Sequence, residues 1–130
     1  MGAWGHEVFQ SDSALDWLSS AETRGSAALN DVFADSNGEY LDADVGSAVV
    51  AAASVVAAAL DGNTVNLPAA GVALARKLEL SPALCQAAAS ALDAVLGERS
   101  ELRSLWFEGA DGPAWREILV ALRTRLLVHR

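Results

Sequence analysis

The feature that most constrains this chain is an uncharged run of sixteen residues near its middle. Residues 45–60 read VGSAVVAAASVVAAAL, and aspartates stand at both ends, Asp42 and Asp44 before the run and Asp61 after it. A helix that is apolar on every side has to be buried. We therefore predict a central Ala/Val-rich helix at about residues 44–61, with the rest of the chain packed around it.

The same run does not fit a membrane span. A spanning helix needs about 20 predominantly apolar residues. This run is shorter, is built from Ala, Val, Gly and Ser, and has acidic rather than basic flanks, so nothing sets an orientation. No cationic start followed by an apolar block opens the chain, which argues against a secretory signal. We expect a cytoplasmic protein with no membrane partner.

Helical periodicity recurs along the rest of the chain. Apolar side chains recur at helical spacing over residues 14–21, 84–95 and 115–126, and no segment alternates with period two. Ser and Asp residues, Gly25 and Gly97 mark starts and ends of helices. The prediction is an all-α fold, a single compact domain over residues 1–130 with six or seven helices. Residues 1–10 should form an extended N-terminal arm packed on the core.

Charge divides the chain into two unlike halves. The net charge of −8 argues against a nucleic-acid partner, since phosphate binding needs a basic face. Residues 1–66 hold ten Asp and Glu against the single Arg24, whereas residues 67–130 hold seven Asp and Glu against eight Lys and Arg. Such asymmetry is either a well-solvated acidic surface or a patch that attracts a basic partner.

The second reading gives the function we expect. The protein would be a non-enzymatic module that binds a basic protein partner, in its most concrete form an immunity or antitoxin role that masks a cationic toxin. Acidic residues of the N-terminal half would make the contact: Glu22, Asp31, Asp35, Glu39, Asp42 and Asp44.

A second candidate site lies at the N-terminus. If the arm folds back on the first helix, six side chains converge: Trp4, His6, Glu7, Asp12, Asp16 and Trp17. Paired carboxylates shift each other's pKa values, so this cluster is the alternative, a small metal-dependent enzyme or metal-binding domain. The opposing interpretation is that Asp12 caps the helix and the tryptophans are core. Gln10 excludes the zinc-protease motif HExxH.

No other pattern points to catalysis. Cys85 falls among apolar helical residues, where a buried thiol is ordinary, and no nucleophile elbow or phosphate-binding glycine loop occurs. We therefore expect no cofactor, no resident metal and no catalytic residue. A third alternative is self-association, since the amphipathic stripe within residues 113–128 could form a homodimer seam.

Three segments together resemble a known family. Residues 1–6 (MGAWGH) with Phe9 and residues 12–17 (DSALDW) form the most specific of them. The others are Tyr40 with residues 51–58 (AAASVVAA), and residues 100–103 (SELR) with later Trp and Arg residues. They are similar to the family catalogued as domain of unknown function 4259. The resemblance spans nearly the whole chain and implies a small, mostly bacterial, single-domain protein with no established activity.

The chain departs from that family pattern at two positions. Glu7 stands where the family often has Gly, and Ser54 stands where it often has Glu. A family Glu that did chemistry would be lost here. We expect a packing role instead, with Ser54 bonding back to the carbonyl of Val50.

Overall fold

A computed structural model describes residues 8–9 and 11–128, which form seven helices and no β-strand. The predicted all-α fold is confirmed. The helices are α1 Asp12–Arg24, α2 Ser26–Asp35, α3 Ala43–Asp61, α4 Ala69–Lys77, α5 Pro82–Leu96, α6 Glu101–Phe107 and α7 Gly112–Val128.

Helix α3 is the centre of the molecule and contacts each of the six other helices. Residues 48–58 are all buried. By length and composition α3 could cross a membrane, but 67% of its most apolar window is buried inside the protein. Burial by surrounding helices explains the lack of a polar face, as the uncharged run predicted.

Distant residues hold both ends of α3. Asp42 is at the N-cap position but its side chain makes no capping bond. Instead the Ala43 amide donates to Glu101 Oε1 at 2.8 Å. At the other end, Gly62 adopts φ 76° and its amide donates to the Ala58 carbonyl at 2.8 Å. Arg125 then binds the Asp61 carboxylate through Nε and Nη2, at 2.7 and 2.9 Å.

Ser11 caps α1 and accepts a hydrogen bond from the Ala14 amide at 3.2 Å. Ser13 lies inside α1 and donates to Asp44 Oδ1 of α3 at 2.7 Å. Ser81 caps α5 and accepts a hydrogen bond from the Leu84 amide at 3.1 Å.

Helix α7 turns its apolar stripe into the core rather than outwards. Trp115, Leu119, Leu122 and Leu126 are all buried. The homodimer prediction relied on this stripe, which is already covered by the protein's own helices. The exposed large apolar side chains that α7 retains are Val120 and Val128, so a dimer through residues 113–128 would have to use those.

Candidate functional site

Helices α1, α2 and α3 enclose a groove of about 240 Å³ that we call the acidic groove. Its floor is apolar and its rim carries carboxylates. Nine residues line it: Trp17, Arg24, Ala28, Asp31, Val32, Asp35, Asp44, Val45 and Ala48.

The floor of the acidic groove follows from helix periodicity. Ala28 and Val32 lie one turn apart on α2, and Val45 and Ala48 lie nearly one turn apart on α3. Side chains at these spacings share one helical face. Half-buried Trp17 of α1 closes one side and packs against the core. The groove therefore offers a narrow apolar surface, large enough for one long side chain rather than a whole helix.

Two of the three rim carboxylates have partners within the protein. Asp44 accepts a hydrogen bond from the Ser13 hydroxyl at 2.7 Å, and it lies in the first turn of α3, where the helix dipole favours negative charge. Asp31 forms an exposed ion pair with Arg24, the one cationic residue that lines the groove. Both contacts fix carboxylates at the rim.

Asp35 is the rim carboxylate that stability does not explain. It is the last residue of α2, at the negative end of the helix dipole, where a carboxylate is unfavourable. Asp31 precedes it by four residues on the same helical face, which adds like-charge repulsion. Within the described part of the chain Asp35 forms no ion pair. Among the described residues it is an exposed negative charge that no ion pair balances.

A second polar neighbourhood lies beside the groove, on the loop between α2 and α3. The Leu41 amide donates to the Arg99 carbonyl at 3.0 Å, and the Glu101 amide donates to the Leu41 carbonyl at 2.9 Å. These bonds place Tyr40 next to Glu101. Desolvation of the phenol and, after it, the negative charge of Glu101 raise the pKa of Tyr40 above its ordinary 10.0. Its hydrogen bond to Glu101 and the charge of Asp42 act in the same direction.

The structure brings together some of the predicted site residues and separates others. Trp17, Asp31, Asp35 and Asp44 meet in the acidic groove. Asp12 and Asp16 are exposed on α1 and do not line the groove, and Glu39 and Asp42 are exposed on the loop before α3. Three of the predicted residues lie outside the described part of the chain: Trp4, His6 and Glu7.

The alternative metal site gains no support from the residues that can be placed. Across residues 8–9 and 11–128, no group of three or more His, Cys, Asp or Glu side chains could hold a metal ion. Asp12 and Asp16 do share a helical face, as their spacing predicted, but they are two carboxylates on an exposed surface.

Sequence reasoning missed the roles of three arginines. Arg24 lines the groove and pairs with Asp31. Arg123 pairs with Asp93 of α5, and Arg125 pairs with Asp61 of α3. One local signal was available for Arg24. Asp31 follows it by seven residues, which places the carboxylate within reach across the tight turn between α1 and α2.

Comparison with curated proteins gave no match, and comparison with solved structures gave none either. A family profile does match, over residues 2–118. This span includes every residue of the acidic groove and runs from the N-terminal arm into α7. Because it covers most of the chain, the resemblance seen in the sequence is confirmed: the chain belongs to the family described as Domain of unknown function (DUF4259).

Proposed function

We propose that the protein is a non-enzymatic binding module whose acidic groove receives a lysine or arginine side chain of a basic protein partner. The observation that carries the proposal is Asp35, an exposed carboxylate at the unfavourable end of α2 that forms no ion pair with the described residues. Residues that lower stability and serve no structural purpose are expected at functional sites.

The form of the groove suits that occupant. Long basic side chains lay their methylene stems on apolar surface and keep the charged group in water. The floor of Val32, Val45 and Ala48 would take the stem, and Asp35 with Asp44 would take the charge. Arg24 of the protein itself already makes a contact of this kind, since it lines the groove and pairs with Asp31.

The net negative charge would increase the rate of association with a basic partner more than it increases the affinity. An acidic surface attracts a cationic partner over a distance set by ionic strength and speeds association. Exposed acidic residues beyond the groove, among them Asp12, Asp16, Glu39 and Asp42, would contribute to this attraction. The narrower proposal is neutralisation of a cationic toxin by covering its basic surface.

The test is affinity capture from the native host with four immobilised proteins, followed by affinity measurement on any purified partner. Asp35→Asn with Asp44→Asn should weaken binding about tenfold through loss of two charge contacts. Glu108→Gln with Glu117→Gln is the matched control, since both residues are exposed and carry the same charge, and they lie outside the groove, Glu108 just after α6 and Glu117 on α7. Asp12→Asn with Asp16→Asn measures the contribution of charge outside the groove.

Specific results decide the proposal. It fails if no captured protein depends on Asp35 and Asp44, or if the Glu108/Glu117 control loses as much binding. The toxin version additionally requires that the partner be basic and that the protein inhibit its activity. A partner that binds through Asp35 and Asp44 but keeps its activity would support the binding module and exclude the toxin-neutralising role.

A further inference from the structure

A second pocket lies on another part of the molecule, between α3, α7 and the loop that joins α3 to α4. Its volume is about 340 Å³, within the range of small-molecule sites. Val8 and Phe9, which precede α1, form part of its wall. It shares no residue with the acidic groove.

The polar side of this pocket is built around a fixed guanidinium. Arg125 lines the pocket and donates from Nε and Nη2 to Asp61, at 2.7 and 2.9 Å. Its Nη2 also donates to the Asn63 carbonyl at 3.1 Å. The Arg125 side chain is 31% exposed and that of Asp61 12%. The pair thus fixes the guanidinium at the pocket with its charge already balanced, and Nη1 takes no part in these three bonds.

Three further side chains complete the polar side: Ser54, Asn63 and Asn66. The Ser54 hydroxyl donates to the Val50 carbonyl at 2.9 Å, which confirms the bond predicted from the sequence. Because its proton is used there, the Ser54 oxygen faces the pocket as an acceptor. The described lining therefore combines donors and acceptors, and its one charged side chain, Arg125, is paired with Asp61.

The remaining wall is apolar. Phe9, Leu67, Ile118 and Leu122 line it, together with Val8 and Ala121. A charged ligand would lose its hydration here and meet an arginine that Asp61 already neutralises. A ligand without an apolar part would leave this wall unfilled. Both arguments select the same kind of molecule.

We propose that this pocket binds a small, uncharged, amphipathic molecule that bears an amide or hydroxyl group. The polar group lies against Arg125 and Ser54, accepting from the first and donating to the second. The apolar part fills the space between Leu67 and Ile118. This site is independent of the basic partner at the acidic groove.

The test uses three probes with one skeleton, 4-phenylbutyramide, 4-phenylbutyrate and 4-phenylbutylamine. Binding is followed by NMR, through saturation transfer to the probe and through backbone shifts of the ¹⁵N-labelled protein. The amide should bind about fivefold more tightly than either charged analogue, the worth of one net hydrogen bond. Its shifts should centre on Ser54, Asn63, Asn66 and Arg125.

Two variants locate the site. Ala121→Trp fills the pocket from an exposed position of α7 and should abolish amide binding, while Ala83→Trp, at an exposed position of α5 outside the pocket, should not. Ser54→Ala removes the acceptor without adding volume and should weaken the amide about fivefold. Circular dichroism confirms that each variant is folded.

Three outcomes overturn the proposal. The first is no binding of any probe to the folded wild-type protein. The second is tighter binding of the acid or the amine. The third is amide binding that Ala121→Trp leaves unchanged.

Discussion

At the scale of single residues, Tyr40 can be observed without interference because the chain contains one tyrosine. Its pKa is raised by desolvation and by Glu101. We predict that the absorbance change of tyrosinate titrates with a midpoint above 10.0. Glu101→Gln removes the negative charge beside the phenol, so the midpoint should move back towards 10.0. A wild-type midpoint at or below 10.0 would contradict the geometry of this loop.

The same shift has a consequence for stability. With the folded pKa of Tyr40 raised, the unfolded chain loses the tyrosine proton first as pH increases. Stability is therefore unaffected by this group below pH 10.0, and it falls from there until the folded form also deprotonates. Tyr40→Phe should remove that part of the alkaline loss while leaving the part due to other groups. The comparison of urea midpoints at pH 9 and above measures it.

Substitution of Asp35 tests whether the acidic groove contains a carboxylate that lowers the stability of the protein. A carboxylate at the C-terminal end of a helix opposes the dipole, so Asp35→Asn should stabilise the protein by about 0.3–1 kcal/mol. Asp44→Asn should have the opposite sign, because Asp44 lies in the first turn of α3 and accepts a hydrogen bond from Ser13. Urea unfolding of the two isoelectric variants gives both values. Destabilisation by Asp35→Asn would remove the argument for its functional role.

At the scale of helices, α3 depends on small side chains where neighbours approach closely. A Cβ atom added at Gly46 would lie 3.2 Å from Leu102 Cβ of α6. Gly46→Val should therefore force α6 away from α3 and cost about 1–3 kcal/mol, the usual effect of overpacking. Leu102→Ala in the same background should recover part of the loss, and a double-mutant cycle would measure the coupling. Additive effects of the two substitutions would show that the helices do not meet at this point.

The helices themselves were predictable because their signals are local. The uncharged run, the apolar stripes and the caps at Ser81 and Gly97 lie within a few residues of what they specify. The contacts between side chains that are distant in sequence were not predictable. Glu101 caps α3 from 58 positions away and Arg125 binds Asp61 from 64 positions away. No periodicity distinguishes those side chains from others on a solvated face.

The candidate site was predictable in composition and not in arrangement. Acidic residues of the N-terminal half were identified from charge alone. Which of them share a surface depends on how α1, α2 and α3 cross, and this selected Asp35 and Asp44 with Trp17. The pocket at Ser54 could not be predicted from the sequence for the same reason. Its wall combines the arm, one loop and two helices that are distant in sequence.

At the scale of the whole molecule, the charge asymmetry predicts how stability responds to salt. Acidic side chains on α1, α2 and the start of α3 are exposed, and in the described part of the chain just one ion pair joins two of these elements, Arg24 with Asp31. Raising ionic strength from about 0.01 to 0.15 M shortens the Debye length from about 30 to 8 Å. Repulsion among these carboxylates should weaken accordingly, and exposed ion pairs lose little by comparison.

We therefore predict that the urea midpoint at pH 7 increases with sodium chloride over this range. A variant with three fewer negative charges, Asp16→Asn, Glu22→Gln and Asp35→Asn, should gain less, because less repulsion remains to be screened. Urea is uncharged, so it leaves the ionic strength under control. A midpoint that falls with salt would mean that the ion pairs seen among the described residues, above all Arg125 with Asp61, outweigh the repulsion of the acidic surface. A gain equal in both proteins would assign the effect to general salting-out instead of to these carboxylates.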